Sequence, residues 1–90
     1  MDKNDQPICE IDRCGTKRWF LSNQRHREDG PAVEFTDGSK AWFLHGRRNR
    51  IDGPAVEYYD GYKKWFYHGK LIDCDSQEEF ERVIKLQVLW

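Results

Sequence analysis

A 23-residue repeat is the feature that most constrains this chain. The longest match is the hexapeptide DGPAVE, which begins at Asp29 and again at Asp52. Positions that recur at this interval are Gly15, Gly38 and Gly61, Trp19, Trp42 and Trp65, and Phe20, Phe43 and Phe66. A fixed period of this length is typical of arrays of similar supersecondary units, which bury their apolar faces against their neighbours. Such arrays usually present binding surfaces, so we expect a binding protein rather than an enzyme.

The length and composition predict one domain over residues 1–90. A chain of 90 residues buries only about 60–65% of its unfolded surface, so its core is thin. Five Phe, four Tyr and four Trp compensate, because each aromatic side chain buries a large area. We expect a flexible N-terminus at 1–6, hairpin repeats at 7–70 and a capping helix at 75–89.

Charge and cysteine content narrow the class of protein further. The formal net charge is −1, although residues 15–70 carry 11 Lys and Arg against 7 Asp and Glu. No apolar run reaches the length of a membrane span, and the polar residues 1–5 do not resemble a signal peptide. Three cysteines fit no closed disulfide framework, so reduced thiols and a cytoplasmic location are expected.

Each repeat is predicted to form a β-hairpin. In the second copy, strands at 31–36 and 39–44 flank Asp37-Gly38, which favours a two-residue type I′ turn. Asp60-Gly61 is the corresponding turn of the third copy, and the first copy, from Ile8, is degenerate. The cross-strand pairs that follow from a two-residue loop are Val33–Trp42, Phe35–Lys40, Ala32–Phe43, Val56–Trp65 and Ala55–Phe66, with Glu34 and Glu57 opposite Ala41 and Lys64.

This register assigns the two faces of the sheet. Val33, Trp42 and Leu44 share one face, on which the Trp side chains are expected to stack into a continuous core. Phe43 and its equivalents lie on the other face, which is either covered or forms a binding surface. A one-residue error in the loop would exchange the faces, because side chains alternate along a strand.

The pattern changes after Lys70. Ser76 and Glu79 have capping-box spacing, and an apolar helical stripe follows. The stripe residues are Phe80, Val83, Ile84 and Val88, widened by Leu86, Leu89 and Trp90. We expect one helix that closes the last repeat, and its apolar end would also suit a homodimer contact. The predicted fold is therefore mainly β: an array of three antiparallel β-hairpins closed by one C-terminal α-helix.

These residues resemble a known family. Residues 59–70, YDGYKKWFYHGK, resemble a MORN repeat, a 23-residue unit with a DG turn, an aromatic strand and a closing Gly-Lys. Residues 26–32, HREDGPA, are similar to a MORN-like subclass of bacterial, tailed-phage and large-DNA-virus proteins. Asn49 stands where the motif has His26, and the third copy lacks Gly-Pro-Ala after Asp75. The resemblance implies a repeat sheet, protein or lipid contacts, and no catalytic residues.

Basic and aromatic residues are the candidate binding set. Arg27 with Asp29 recurs as Arg50 with Asp52, either as contacts for an anionic partner or, preferably, as a structural pair whose Asp orders the Gly-Pro turn and whose Arg contacts a neighbouring repeat. Candidate partner-binding residues are Arg25, Arg27, Arg47, Arg48, Arg50, Phe43 and Phe66, and candidate structural residues are Trp19, Trp42, Trp65, Gly30, Pro31, Gly53 and Pro54. A basic stripe that would suit single-stranded nucleic acid could be formed by Arg25, Arg47 and Arg48 with Lys17, Arg18, Lys40, Lys63 and Lys64.

Metal and catalytic sites are not expected. A metal site would combine His45 or His68 with Cys9, Cys14 or Cys74. However, Cys9 and Cys14 lack zinc-knuckle spacing, and no second cysteine pair follows them in the sequence. No nucleophile elbow or phosphate loop is present, so neither enzymatic activity nor a cofactor is expected.

The leading hypothesis is a small protein-binding module. The resemblance extends it to a phage- or mobile-element-encoded stoichiometric inhibitor of a host defence protein, located in the host cytoplasm. The alternative is a nucleic-acid-binding module that uses the basic, aromatic-rich repeat face.

Overall fold

The computed structural model describes residues 6–88, with only the backbone of residues 87 and 88. It is a mainly antiparallel β-structure with one C-terminal helix, which confirms the predicted class. The elements are β1 Ile8–Ile11, β2 Lys17–Leu21, β3 Gln24–Arg25, β4 Val33–Glu34, β5 Lys40–Ala41, β6 Phe43–Leu44, β7 Arg47–Arg48, β8 Val56–Glu57, β9 Lys63–Tyr67, β10 Lys70–Ile72 and α1 Gln77–Val88. The molecule is a slab of 38 × 37 × 16 Å.

The sheet follows the chain. The main sheet has the order β1-β2-β4-β5-β8-β9-β10, with β3 added beside β2, while β6 and β7 form a separate two-stranded ladder. The segment from Arg47, which follows the predicted hairpin of the second copy, begins as strand β7, which pairs with β6.

The Asp-Gly turns are not type I′. The Phe35 N–H donates to the Ser39 carbonyl at 2.9 Å, and the Gly38 N–H donates to the Phe35 carbonyl at 3.1 Å. The loop therefore has three residues, with Gly38 at φ 95° as the bulge residue after a tighter turn. The Asp37 carboxylate accepts the Ser39 N–H at 2.8 Å, and Asp37 itself lacks the positive φ that a type I′ turn requires.

The extra loop residue shifts the register by one and exchanges the predicted faces. The observed pairs are Val33–Ala41, Glu34–Lys40, Val56–Lys64 and Glu57–Lys63, so the predicted pairs were wrong, including Glu34 and Glu57 opposite Ala41 and Lys64. Val33, Ala41 and Val56 form a buried cluster against which Phe43 and Phe66 pack. We call this side of the sheet the Phe face and the side that carries Trp19, Trp42 and Trp65 the Trp face.

Type I′ turns occur elsewhere in each repeat. Two consecutive residues with positive φ connect β2 to β3, β6 to β7 and β9 to β10. These pairs are Ser22-Asn23, His45-Gly46 and His68-Gly69. The predicted type I′ turn was therefore wrong at Asp37-Gly38 and Asp60-Gly61, because this turn type joins different pairs of strands.

The Trp face does not form the continuous Trp core expected from the sequence. The guanidinium carbon of Arg27 lies 3.9 Å from the centroid of Trp19, and that of Arg50 lies 3.8 Å from Trp42. Trp65 has no such arginine, because the position 23 residues after Arg50 is Asp73. Trp65 instead packs with Ile72, Phe80 and Ile84. Helix α1 therefore covers the last Trp, as arginines cover the first two.

Local hydrogen bonds set the start of α1 at Gln77, two residues later than predicted. The Glu79 N–H donates to Ser76 Oγ at 3.2 Å, whereas the Glu79 carboxylate accepts from the Asp75 N–H at 2.8 Å. Phe80 and Ile84 are buried, but Leu86 is 57% exposed, so the predicted widening of the stripe is wrong there. Residues 1–5, residues 89–90 and the Val88 side chain, which carry the predictions for both termini, lie outside the described part. Among residues 6–88, no helix is long and apolar enough to cross a bilayer.

Candidate functional site

The Phe face has a shallow depression of about 260 Å³ at its centre. Its lining is basic and aromatic around a small aliphatic floor. The lining residues are Arg18, Arg25, Val33, Phe35, Ala41, Phe43, Arg48, Val56 and Tyr58. No carboxylate is among these residues, so the depression favours an anionic or electron-rich ligand surface.

Arginines and phenylalanines alternate across this face. The guanidinium carbon of Arg25 lies 5.7 Å from the Phe43 centroid, and that of Arg48 lies 5.6 Å from Phe43 and 5.3 Å from Phe66. The sheet produces this arrangement, because Arg48 is directly opposite Phe43 and Arg25 is opposite Phe20. We call Arg25, Phe43, Arg48 and Phe66 the Arg–Phe ladder.

The cations of the ladder have no acidic partner among the side chains that the structure describes. Arg25 and Arg48 are exposed, and neither forms an ion pair within the described range 6–88. Arg18 differs, because its Nη1 lies 2.9 Å from Asp12 Oδ2, and this hydrogen bond is the main cause of the lowered pKa of Asp12. A guanidinium presents a planar fork of donors that matches a carboxylate or phosphate, so the ladder can bind such groups.

On the Trp face, by contrast, Arg27 and Arg50 are held by ion pairs and hydrogen bonds. Arg27 Nε donates to Asp29 at 3.0 Å, while its Nη1 donates to the Pro31 carbonyl and to Glu34, both at 3.1 Å. Arg50 repeats this pattern with Asp52, Pro54 and Glu57 at 3.1, 3.0 and 2.9 Å. Each Arg therefore binds within its own motif rather than to a neighbouring repeat, and its Asp contacts it instead of the turn backbone.

The glycines of the DGPA motif provide space for these arginines. A Cβ at Gly53 would lie 2.6 Å from the guanidinium carbon of Arg50, and one at Gly30 would lie 3.0 Å from that of Arg27. Neither glycine has a positive φ. The motif thus packs as one unit around the arginine, whose guanidinium covers the Trp ring. The Asp and Glu carboxylates and the Pro carbonyl accept hydrogen bonds from this guanidinium, and the Gly leaves room for it.

Sequence reasoning did not identify a second recurring contact. His26 is 2% exposed, and its Nδ1 accepts the His45 N–H at 2.9 Å. Asn49, also buried, accepts the His68 N–H through Oδ1 at 3.1 Å. The signal was present in the sequence, since both side chains can accept a hydrogen bond at the same position of the repeat. Each acceptor fixes the type I′ turn of the following unit.

The predicted basic stripe is divided between the two faces. Arg47 pairs with Leu44 across the β6–β7 ladder. Because side chains alternate along a strand, Arg47 projects to the opposite face from Arg48. A row of alternating charges crosses the Trp face in register: Lys17, Glu34, Lys40, Glu57 and Lys63. Lys64 joins the Phe face at its edge. Of the predicted residues, the fold therefore gathers Arg25, Arg48, Phe43 and Phe66 on one surface and directs Arg27, Arg47 and Arg50 elsewhere.

The histidines and cysteines do not converge. Within residues 6–88, no three His, Cys, Asp or Glu side chains are grouped so as to hold a metal ion. The His45 ring lies 4.5 Å from that of His26, and the His68 ring lies 4.1 Å from Tyr67. Cys9 and Cys14 are exposed, whereas Cys74 is partly buried, and this burial raises the pKa of its thiol.

Comparison with protein-family models, curated proteins and solved structures gives no match for this chain. The resemblance to MORN-like repeats therefore stays a prediction. The functional proposal depends on the geometry of the described residues, chiefly on the contrast between the two faces.

Proposed function

We propose that this protein is a MORN-like array of three hairpin units that acts as a small non-enzymatic binding module through its Phe face. The observation that carries the proposal is the presence on the Phe face of two exposed arginines, Arg25 and Arg48, beside aromatic rings. Arg27 and Arg50 are held by acids on the Trp face, whereas Arg25 and Arg48 are exposed and free of ion pairs within the described residues. Exposed arginines beside aromatic rings are the residue types that dominate binding energy at protein interfaces.

Recurring contacts support the three-unit description. The Arg–Trp contact and the buried polar acceptor each recur after 23 residues, and the type I′ turn recurs twice. In the last unit, α1 takes the place of the Arg and covers Trp65. Terminal units of repeat arrays commonly end in such a cap.

A protein with an acidic patch fits the Phe face better than nucleic acid does. Single-stranded nucleic acid is held by open aromatic rings on which bases stack and by many phosphate contacts. Phe43 and Phe66 are partly buried, and Arg48 already lies near both rings, so the open rings in the lining of the depression are Phe35 and Tyr58. The chain as a whole has a net charge of −1. A few carboxylates on a partner would match the exposed guanidinium groups without the dense charge of a phosphate backbone.

The mode of action that we propose is occupancy of the partner's surface by one copy of this protein. The resemblance to a MORN-like subclass extends the proposal to an inhibitor of a host defence protein, encoded by a phage or mobile element and acting in the host cytoplasm. The absence of a convergent catalytic constellation in the sequence agrees with this mode.

Affinity capture from a lysate of the source cell tests the proposal. The lysate contains about 0.3 M salt and added nuclease, which suppress contacts mediated by nucleic acid. The bait is the wild-type protein, and the Arg25→Glu/Arg48→Glu variant is the matched control. One dominant acidic protein, captured near stoichiometry by the wild type and lost with the variant, is the expected result. Retention of oligonucleotides alone, at low salt without nuclease, would instead establish the nucleic-acid alternative.

A further inference from the structure

One row of cross-strand neighbours in the main sheet carries opposite charges at its two ends. Five consecutive cross-strand pairings align one residue from each of six strands. In order, the row is Glu10, Arg18, Val33, Ala41, Val56 and Lys64. The middle of the row is apolar, its first residue is an acid and its last is a lysine. Both end residues project on the Phe face, because the row is in register with Val33.

The backbone is open at the first end of the row. Strand β1 pairs only with β2, and no other described strand lies beside it. The Asp12 N–H donates to the Thr16 carbonyl. Because the bonding direction alternates along an antiparallel strand, Glu10 and Ile8 also turn their backbone N–H and C=O groups toward β2. The N–H and C=O of Ile11 therefore point away from the sheet. The Ile8 and Ile11 side chains are both exposed, which leaves an apolar edge strand without a partner in the described chain.

The other end is open in a complementary way. Strand β9 pairs with β8 at Lys63–Lys64, but it pairs with β10 only from Trp65 onward. The Tyr58 N–H donates to the Tyr62 carbonyl, so by the same alternation the N–H and C=O of Lys63 point away from β8. They face a groove of about 350 Å³ that Gly61, Tyr62 and the residues after β10 line. We call this groove the open slot.

The corresponding slots within the chain are occupied. Strand β4 lies beside β2, and β8 lies beside β5. A Cβ at Gly15 would meet Thr36 at 3.1 Å and one at Gly38 would meet Tyr59 at 3.9 Å, whereas a Cβ at Gly61 meets nothing within 4 Å.

Side-chain exposure shows the same difference. Thr16 and Ser39 occupy equivalent positions beside the two filled slots, and each is 7% exposed. Tyr62 holds this position at the open slot and is 61% exposed. The open slot thus has the shape of a filled one without its strand.

We propose that a second copy of this chain fills the open slot head to tail, with β1 of one copy paired to Lys63–Lys64 of the next. In the repeat, Glu10-Ile11 of β1 correspond to Val33-Glu34 of β4, and Lys63-Lys64 correspond to Lys17-Arg18 of β2. The pairing of β4 with β2 therefore places Ile11 opposite Lys63 and Glu10 opposite Lys64. Ile11 and Lys63 exchange the backbone hydrogen bonds that both leave unmade. Glu10 then lies between Arg18 of its own chain and the second copy's lysine, as a cross-strand pair of opposite charge.

Helix α1 leaves this junction accessible. Gln77 Nε2 donates to the Ile51 carbonyl at 2.8 Å, and Gln77 Oε1 accepts from Trp65 Nε1 at 2.8 Å. The helix therefore begins over the Trp face, toward the preceding unit. The junction joins different surfaces of the two copies, so it generates a ring or an open array rather than a symmetric dimer. It also continues the Phe face from one copy to the next, which goes beyond the binding function proposed for a single copy.

Two proline variants test the junction. Ile11→Pro and Lys63→Pro each remove an outward N–H, and proline is tolerated on such an open edge. Sedimentation velocity from about 10 µM to about 1 mM measures the weight-average mass, a range suited to a weak junction. The weight-average mass of the wild type should rise beyond twice the chain mass of 10.8 kDa. Each variant alone should keep the mass of a single chain. An equimolar mixture should form a two-chain complex, because one variant keeps the slot and the other keeps β1.

A charge variant keeps the test independent of proline effects on folding. Lys64→Glu should weaken self-association roughly tenfold, and Glu10→Lys in the same chain should restore it. Lys85→Glu on α1 is the control and should associate as wild type does. A wild-type mass that stays at one chain, or one that stops at two chains, would overturn the proposal. Unchanged association of Lys64→Glu would overturn it as well.

Discussion

The guanidinium carbon of Arg50 lies 3.8 Å from the centroid of the Trp42 ring, and the same guanidinium donates to Asp52, Pro54 and Glu57. One side chain therefore accounts for most of the DGPAVE sequence that follows it. Arg27 makes the equivalent set of contacts one repeat earlier. The most recognisable sequence motif of this chain is thus explained by packing on the Trp face, whereas the proposed binding surface is the Phe face.

Loss of the Arg50 side chain should destabilise the fold strongly. Arg50→Ala removes the stacking contact with Trp42 and leaves the Pro54 carbonyl and Glu57 without their donor, so we expect a loss of about 2–3 kcal/mol in the free energy of unfolding. Arg47→Ala, at an exposed position nearby, should change it by less than about 0.5 kcal/mol. Urea denaturation of both variants measures the difference, and equal effects would contradict the structural role of Arg50.

The glycine of the motif should depend on the arginine. Gly53→Ala introduces a Cβ that would lie 2.6 Å from the Arg50 guanidinium carbon, and overpacking of this kind costs about 1–3 kcal/mol. In an Arg50→Ala background the same substitution should cost much less, because the clashing group is gone. A double-mutant cycle by urea denaturation measures this coupling. Additive effects of the two substitutions would show that Gly53 is required for another reason.

His26 should be replaceable by the residue found one repeat later. His26→Asn keeps a side-chain acceptor for the His45 N–H, as Asn49 does for His68, so stability should fall little. His26→Leu leaves that partly buried N–H without a side-chain acceptor and should cost about 1 kcal/mol or more. Thermal unfolding of the two variants compares these outcomes. If both variants lost the same stability, the size of the ring, not its acceptor, would be what the site requires.

Asp12 should contribute to stability only above the acid range. Its hydrogen bond with Arg18 lowers the folded-state pKa below the ordinary value of 3.8, so the carboxylate stabilises the fold above that pH. This contribution is lost as the pH falls through the depressed folded-state pKa. Asp12→Asn should therefore be less stable than wild type at neutral pH, with a difference that vanishes well below pH 3.8. Urea midpoints across this range provide the measurement, and a gap independent of pH would exclude the charge as its cause.

The sequence predicted a mainly β fold with one C-terminal helix, and Arg25, Phe43, Arg48 and Phe66 were among its larger set of candidate residues, but it did not predict the faces. The Asp37-Gly38 pair is compatible with both a two-residue and a three-residue loop, and the bond from Ser39 N–H to the Asp37 carboxylate selects the longer one. That one-residue difference decides whether Val33 faces Trp42 or Ala41. The separation of Arg47 from Arg48 follows from pairing between β6 and β7, which the two-residue turn at His45-Gly46 sets locally.

The most direct test of the Phe face as the binding surface compares Arg48→Glu with Arg47→Glu. These neighbouring residues are both exposed, undergo the same charge reversal and lie on opposite faces of β7. The protein partner captured by the wild type is titrated against each variant, and its affinity is measured by calorimetry. We predict that Arg48→Glu weakens binding at least about tenfold, whereas Arg47→Glu binds within about twofold of wild type. An equal loss with both variants, or a larger loss with Arg47→Glu, would contradict the assignment of the binding surface.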